Sequence, residues 1–331
     1  MILNIKNKYK TYEVNVGHVS QWCGTNIIRK DMLLNMLTQY FSKAKYMEYD
    51  ADKECTVCSN EEELGRGYYV VYQIDSREEL VSQLKIGKST LMAKYISGKV
   101  MSKYETTVDL EKIADLLTEI YRYLNEEMLR EFDNVELDFE VNKLLNIVQE
   151  SVIFDRNGND IHNLSTYELI KNYIKLIDKL ETDSGHQILV VIKNIDHMLT
   201  KDKYKKIYNL ATNLSDSLNM KFIFTLSIDG YCVVNKENID EIMVVNDMEI
   251  TLPPYDKLRD FVQNNYPINI EMEERWLLYN LENCINRLGR SDIATEITAE
   301  IILSVINKIL HVNCVRKFNV NNIELNFIKN N

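Results

Sequence analysis

Two short apolar runs with a helix between them constrain this chain most. "QILVVIKN" (Gln187 to Asn194) and "KFIFTLSI" (Lys221 to Ile228) are β-rich and apolar on both faces, which suits strands covered on both sides. The intervening "DKYKKIYNLATNLSDSL" has helical periodicity. A β-α-β order of this kind predicts neighbouring parallel strands with the helix packed on the sheet. "GYYVVYQI" (Gly67 to Ile74) reads as a further buried strand. At the start, "LNIKNKYKTYEVNV" alternates apolar and polar residues, as a hairpin or sheet edge does. "NIIRKDMLLNMLTQYF" then repeats Ile28, Met32, Met36 and Leu33, Leu37, Tyr40 at helical spacing. Only 10 glycines and 3 prolines occur in 331 residues, so most of the chain is expected to be regular structure.

The middle and the end of the chain read as helical. Ile113, Leu116, Leu117, Ile120 and Leu124 mark a long amphipathic helix between Asp109 and Arg130. In "LSTYELIKNYIKLIDKL", Ser165 followed by Glu168 is a capping box that starts another. All three prolines (Pro253, Pro254, Pro267) fall just before the helical tail "ERWLLYNLENCINRL" and "ATEITAEIILSVINKIL". The expected organisation is an α/β head from residues 1–76 and 187–252, an inserted helical leg over 77–186, and a C-terminal helical extension over 253–331.

The string "IGKST" (Ile86 to Thr90) looks like the end of a P-loop, G-x-x-x-x-G-K-[ST]. It fails on context, because residue 82 is Ser82 instead of glycine and no strand precedes it. The strand–turn–helix context lies earlier, at Gly24-Thr-Asn-Ile-Ile-Arg-Lys-Asp. There Ile27 and Ile28 stand where close approach to phosphate wants glycine, and Asp31 replaces the metal-binding hydroxyl. "ILVVIKN" has the shape of a Walker B strand but ends in Lys193 and Asn194, which can neither ligate Mg²⁺ as the usual Asp does nor act as a base. Asp196, two residues on, is expected to point off the strand end without a partner. The head therefore reads as a degenerate P-loop-ATPase-like fold with a parallel-rich sheet, and no ATP is expected.

Six scattered cysteines suit reduced thiols; "CTVC" has knuckle spacing but lacks a second ligand pair. The five histidines form no ligand pattern, and no G-x-S-x-G elbow occurs. No run approaches a membrane span and the start lacks a signal-peptide apolar region, so a cytoplasmic location is expected. In the acidic "EFDNVELDFE", Glu136, Asp138 and Glu140 would share one face of an extended segment, able to gather oxygen ligands around Ca²⁺ or to form a solvated turn. A formal net charge of −11 opposes a general nucleic-acid coat. Yet no acidic residue falls between Glu79 and Glu105, where Lys85, Lys88, Lys94, Lys99 and Lys103 occur. In one continuous helix Lys85, Lys88, Lys99 and Lys103 would share a sector. A second run is Lys201, Lys203, Lys205 and Lys206. Each is either a solvated face or a duplex-phosphate contact, and Arg29 and Lys30 are further basic candidates.

From about Val19 to Val245 the chain resembles the accessory spacer-acquisition protein of type II-A CRISPR systems, in its long variant with a C-terminal extension. The degenerate loop, "GYYVVYQID", "LTEIYRYLNEEMLREFDNVELDFE", "ILVVIKN" followed by "HMLTKDKY", and "FIFTLS" carry the resemblance by order and spacing. It implies a homotetrameric ring, not an enzyme, that binds double-stranded DNA ends through a lysine-lined hole. It also implies Ca²⁺ and, as partners in adaptation and antiviral defence, the CRISPR integrase pair and the effector nuclease. The family's metal-binding segment matches Glu136, Asp138 and Glu140, but Asn142 and Lys143 stand where acidic residues are usual. The rival expectation is an active P-loop-type ATPase or nucleotide switch using Arg29, Lys30 or Lys88; a third is a scaffold that binds proteins only.

Overall fold

A computed structural model describes residues 1–42, 54–102, 104–127, 151–155, 157–217, 219–228, 230–267, 272–290 and 297–312. In chain order its elements are β1 (Ile2–Asn7), β2 (Thr11–Asn15), β3 (Val19–Cys23), α1 (Ile27–Phe41), β4 (Cys55–Ser59), β5 (Glu62–Glu63) and β6 (Tyr69–Ile74). Next come α2 (Arg77–Leu84), α3 (Leu91–Ser102), α4 (Tyr104–Glu127), α5 (Thr166–Glu181), β7 (Gln187–Ile192), α6 (Lys201–Ser217) and β8 (Met220–Thr225). β9 (Ile242–Val245), β10 (Glu249–Thr251), α7 (Tyr255–Asn265), α8 (Glu274–Cys284) and α9 (Ile297–Ile309) complete the described chain. It is a mixed α/β protein that divides into two compact units, Met1–Asp75 with Gly185–Asn331, and Ser76–Ser184.

The first unit holds two sheets. The larger runs β10-β9-β3-β8-β7-β6, parallel throughout except for the antiparallel β10–β9 pair. The β7–α6–β8 order gives the parallel pair expected from sequence, with Ile188 opposite Met220 and Ile192 opposite Phe224. The smaller sheet, β2-β1-β4-β5, is antiparallel. The alternating N-terminal segment is a hairpin in this separate sheet, with Leu3, Ile5 and Val14 turned into the core. β4, which carries "CTVC", was not signalled by its apolar pattern, and neither were β9 and β10. Cys55 and Cys58 are buried in β4, and Cys55 Sγ donates weakly to the Met36 carbonyl.

One core joins the two sheets through α1. Leu33, Leu34, Leu37 and Phe41 of α1 pack with Leu3, Ile5 and Val57 of the small sheet and with Trp22, Leu189, Val191 and Ile223 of the large one. The α1 spacing explains this, because positions three and four apart keep an apolar stripe on each flank of the helix. β3 is buried along its whole length and includes a polar pair, Ser20 and Gln21. Both polar atoms of the Gln21 side chain have partners. Its Nε2 donates to the Val233 carbonyl at 2.8 Å, and its Oε1 accepts from the Tyr204 hydroxyl at 2.7 Å and the Val233 amide at 2.8 Å. That removes the desolvation cost of a buried amide and fixes the loop after β8.

The second unit is built mainly of helices. Ser76 caps α2 by accepting from the Glu79 amide at 3.2 Å. The capping box at α5 is present as expected, with Ser165 accepting from the Glu168 amide at 3.4 Å and donating its backbone N–H to Glu168 Oε2 at 3.0 Å. α5 buries Leu169, Ile170, Tyr173, Ile174, Leu176 and Ile177 on one side. Lys85 ends α2 in an extended conformation, and α3 begins only at Leu91. The continuous helix that would put Lys85, Lys88, Lys99 and Lys103 in one sector is therefore absent. Gly87 lies in that break, where its carbonyl accepts from the Thr90 amide at 3.3 Å. Among the described residues no helix is long and apolar enough to cross a membrane.

Removing the cap should be felt in the second unit. Ser165→Ala is expected to destabilise it by about 1 kcal/mol, the usual worth of an N-cap side chain, read as a lower denaturant midpoint with an unchanged slope.

Candidate functional site

The chain leaves β3 at the carboxyl end of the parallel sheet, the end at which α/β sheets bind ligands. Gly24 takes φ +95°, and a Cβ there would sit 2.4 Å from the Val245 carbonyl oxygen. This glycine is required by the turn and by the close approach of β9. Thr25 and Asn26 then lead into α1, and their donors are all engaged. The Thr25 amide and hydroxyl both reach Asn246 Oδ1, at 2.7 and 2.8 Å. The Asn26 amide donates to the Val245 carbonyl at 3.2 Å and the Ile27 amide to the Thr25 carbonyl at 3.0 Å. Asn26 caps the helix by accepting from the Arg29 amide at 3.0 Å. A phosphate cradle needs several backbone N–H groups aimed at one empty point. Here the turn is too tight and those donors serve the fold.

Lys30 stands on the first turn of α1 and is 2% exposed. Its Nζ donates to the Gly24 carbonyl at 2.9 Å and also to the Leu226 carbonyl. Burial holds its pKa below the ordinary 10.5, while Cys23 and Asp196 nearby work in the other direction. Asp196 is not the unpartnered carboxylate expected from sequence. Its Oδ1 accepts from the Ser227 amide at 2.9 Å, and its Oδ2 accepts from the Ser227 hydroxyl at 2.5 Å. The ends of β3, β7 and β8 are thus tied together by side chains.

Lys193, the residue after β7, is 12% exposed on its side chain and lies 3.1 Å from Asp75 Oδ2 and 4.0 Å from Asp31 Oδ1. It also reaches Asn35 Oδ1 at 3.5 Å. An ammonium therefore occupies a corner walled by three oxygen-bearing side chains from α1 and from the end of β6. Asn194 follows in the left-handed region at φ +47°, and its amide donates to Thr225 Oγ1 at 2.9 Å.

The basic residues singled out in the sequence separate into three groups. Arg29 and Lys30 are committed internally. Arg29 forms a bidentate pair with Glu249, Nη2 lying 3.0 Å from Oε2, and also reaches the Asp247 carbonyl. Neither is presented to a phosphate outside the fold, which corrects their place among the candidate DNA contacts. Lys201 and Lys205, one turn apart on α6, converge on Glu282 of α8 at 2.8 and 3.3 Å. Lys203 and Lys206 are exposed on the same helix and form no ion pair among the described residues. In the second unit Lys85 is half-buried and lies 3.7 Å from Asp160 Oδ1, whereas Lys88, Lys94 and Lys99 are exposed. Lys99 Nζ lies 5.8 Å from the Tyr95 ring centroid. Lys103, Glu136, Asp138 and Glu140 lie outside the described residues. Sequence reading missed the internal role of Asp75 and Glu249, which no local motif marks.

Comparison with known proteins places this geometry in a family. The sequence profile described as CRISPR-associated protein Csn2 subfamily St matches residues 5–325. The crystal structure of Stu0660 of Streptococcus thermophilus superposes with a TM-score of 0.85 at 23% identity, covering 100% of both chains, and so shares the fold. The ADP conformation of MJ1267, an ATP-binding cassette of an ABC transporter, gives a TM-score of only 0.40 at 14% identity, over 78% of this chain and 94% of that one, too low to define a common fold. No curated protein sequence matches.

Lys30 offers a direct test of the site's electrostatics. Lys30→Met removes a charged donor from two buried carbonyls and should cost about 2 kcal/mol at neutral pH. The folded pKa lies below the unfolded 10.5. The burial penalty is therefore complete below the folded value and is relieved as pH rises towards 10.5, where the unfolded state holds the proton that the folded state has lost. The stability gap between wild type and Lys30→Met should widen across that alkaline window. Parallel stability–pH curves would contradict the assignment.

Proposed function

Because the chain belongs to the CRISPR-associated Csn2 family, subfamily St, and so has a role in CRISPR adaptation, we propose that it acts there as a non-enzymatic, ring-forming protein that binds double-stranded DNA ends independently of sequence. The observation that carries this reading is the match over residues 5–325, almost the whole chain. The larger unit is, in this reading, a P-loop-ATPase-like head whose nucleotide chemistry is gone. Its loop donors are spent on Asn246, Val245 and Asn26. Lys193 stands among Asp31, Asn35 and Asp75, where a working site would bring Mg²⁺. An ammonium there repels a divalent ion and itself supplies the cation the carboxylates need.

DNA contact falls to Lys88, Lys94, Lys99, Lys203 and Lys206, all exposed, with Lys85, Lys201 and Lys205 held partly by carboxylates. Self-assembly is supported by α4. Ile113, Leu116, Ile120 and Tyr123 are 40%, 62%, 53% and 62% exposed. Their i, i+3, i+7, i+10 spacing is that of a helix–helix seam, and an apolar stripe of this kind calls for a partner helix. A homotetramer would place such stripes against one another and gather lysines from four copies around one hole, so that an acidic exterior coexists with a basic interior. Ca²⁺ at Glu136, Asp138 and Glu140, and work beside the CRISPR integrase pair and the effector nuclease, enter the proposal through the family alone.

The binding reading predicts salt-dependent affinity for linear duplex and none for closed circular duplex, measured by gel shift. Lys88→Glu with Lys94→Glu should weaken binding about equally across unrelated sequences and flatten the salt dependence by roughly one unit of log–log slope for each phosphate that is no longer neutralised. Absence of duplex affinity at low salt would end the DNA claim and leave a protein-only scaffold. ATP turnover should stay at background; turnover abolished by Lys30→Met or Lys88→Ala would instead establish the nucleotide switch.

A further inference from the structure

The hairpin turn between β1 and β2 is a second basic feature of the first unit. Residues 1–12 contain Lys6, Lys8 and Lys10 and no acidic side chain, in a chain of net charge −11. All three lysines are exposed. Between them Tyr9 is 71% exposed, the most exposed aromatic side chain among the described residues. A tyrosine placed there buries little and adds almost nothing to the hydrophobic core.

The turn is held rigid. Asn7 Oδ1 accepts from the Tyr9 amide at 3.0 Å and from the Lys10 amide at 2.7 Å. The Asn7 amide donates to the Lys10 carbonyl at 3.0 Å. Below the turn, Lys6 pairs in register with Thr11 and Ile5 with Tyr12, and the buried Leu3, Ile5 and Val14 anchor the strands. Lys8 Nζ lies 5.7 Å from the Tyr9 ring centroid and Lys10 Nζ lies 4.8 Å from that of Tyr12. An aromatic ring is therefore carried outward on a fixed backbone with the Lys8 ammonium beside it, while the Lys10 ammonium lies over the Tyr12 ring. The first carboxylate along the chain, Glu13, stands back on β2 opposite Asn4.

We propose that this turn is a contact point for an unpaired nucleic-acid strand, with Tyr9 stacking on an unstacked base while Lys6, Lys8 and Lys10 meet the flanking phosphates. The inference rests on the DNA-binding reading above and names the part of the ligand this surface takes. In a duplex the base faces are covered by their neighbours, so a tyrosine ring finds one only in an overhang or a frayed end. Aromatic rings flanked by cations are the general device for holding single strands without sequence preference. An interfacial membrane anchor would instead present Trp, Phe or Leu on a wider apolar face. This turn offers one phenol between lysines.

The test uses the full-length protein and three probes: a blunt duplex, the same duplex with a single-stranded tail, and the tailed duplex carrying 2-aminopurine in the tail. Wild type should bind the tailed duplex more tightly than the blunt one and quench the 2-aminopurine signal. Tyr9→Ala should cost about fivefold or more in tail affinity, the lower end of base–aromatic stacking, and lose the quenching. Its blunt-duplex affinity should stay unchanged, and Tyr9→Trp should restore both readouts. Lys8→Glu with Lys10→Glu should weaken tail binding and flatten its salt dependence. If wild type binds duplex yet treats tailed and blunt probes alike, or if Tyr9→Ala keeps the preference and the quenching, this inference falls while the DNA reading stands. If wild type binds neither probe at low salt, the DNA reading itself has failed. Tyr9-dependent sedimentation with anionic phosphatidylserine vesicles, without any tail preference, would overturn the nucleic-acid assignment in favour of a membrane.

Discussion

The buried ammonium of Lys30 is the contact on which the carboxyl end of the large sheet depends. It draws the Gly24 carbonyl at the end of β3 and the Leu226 carbonyl at the end of β8 to one point beneath α1. An isolated charge in such a place would cost several kcal/mol. Carbonyl oxygens on two strands, with the Asp196 carboxylate nearby, offset that cost. Asp196 is itself fixed by Ser227, the residue after Leu226, so the carbonyl that receives Lys30 sits on a segment that cannot drift. In a nucleotide-binding protein a lysine at this helix start would be held ready for phosphate. Here two backbone carbonyls hold it instead.

The same logic operates at the neighbouring corner. Lys193 is held by Asp31 and Asn35 of α1 and by Asp75 beyond β6, while its amide continues the β6–β7 ladder by donating to the Ile74 carbonyl at 2.9 Å. Two lysines thus fasten α1 to the ends of four neighbouring strand segments. The helix is also the shared layer of the core, with apolar residues turned to both sheets. Polar fastening at one end and apolar packing along the length fix its position jointly. Opening the corner to admit a ligand would break both.

Elements whose signal is local were legible in the sequence. β7, α6 and β8 announce themselves by apolar runs and helical periodicity, and the capping box at Ser165 needs only the residue three places on. β4, β9 and β10 are short, and their burial is conferred by partners: β4 by pairing with β1, and β9 by lying beside β3. No window of the sequence contains that information. The basic candidates show the same division. That Lys30 and Arg29 lie near a helix start could be read directly, but their partners Leu226 and Glu249 are about two hundred residues away in sequence. The break between α2 and α3 was half visible in Gly87. The left-handed Asn194 and the tight approach of Val245 to Gly24 were not.

An acidic chain can meet a polyanion only if its cations are sorted from its carboxylates at a scale shorter than the screening length, about 8 Å at physiological salt. The structure sorts them by pairing. On α6, Lys201 and Lys205 share one carboxylate, Glu282, which is largely buried, so the pair is left with a net positive charge near the surface. Lys203 and Lys206 project beside them, and only Asp202 interrupts the run. At the β1–β2 turn sorting is achieved by composition, since no acid occurs before Glu13. The arginine that could have joined that patch, Arg29, faces Tyr12 with its guanidinium 5.9 Å from the ring but gives its hydrogen bonds to Glu249. Net charge therefore says little about this surface. What a phosphate meets within a screening length is set by which lysines the fold has already engaged: Lys30 and Lys193 are held at the carboxyl end of the large sheet, whereas the hairpin lysines and Lys203 and Lys206 of α6 stay exposed.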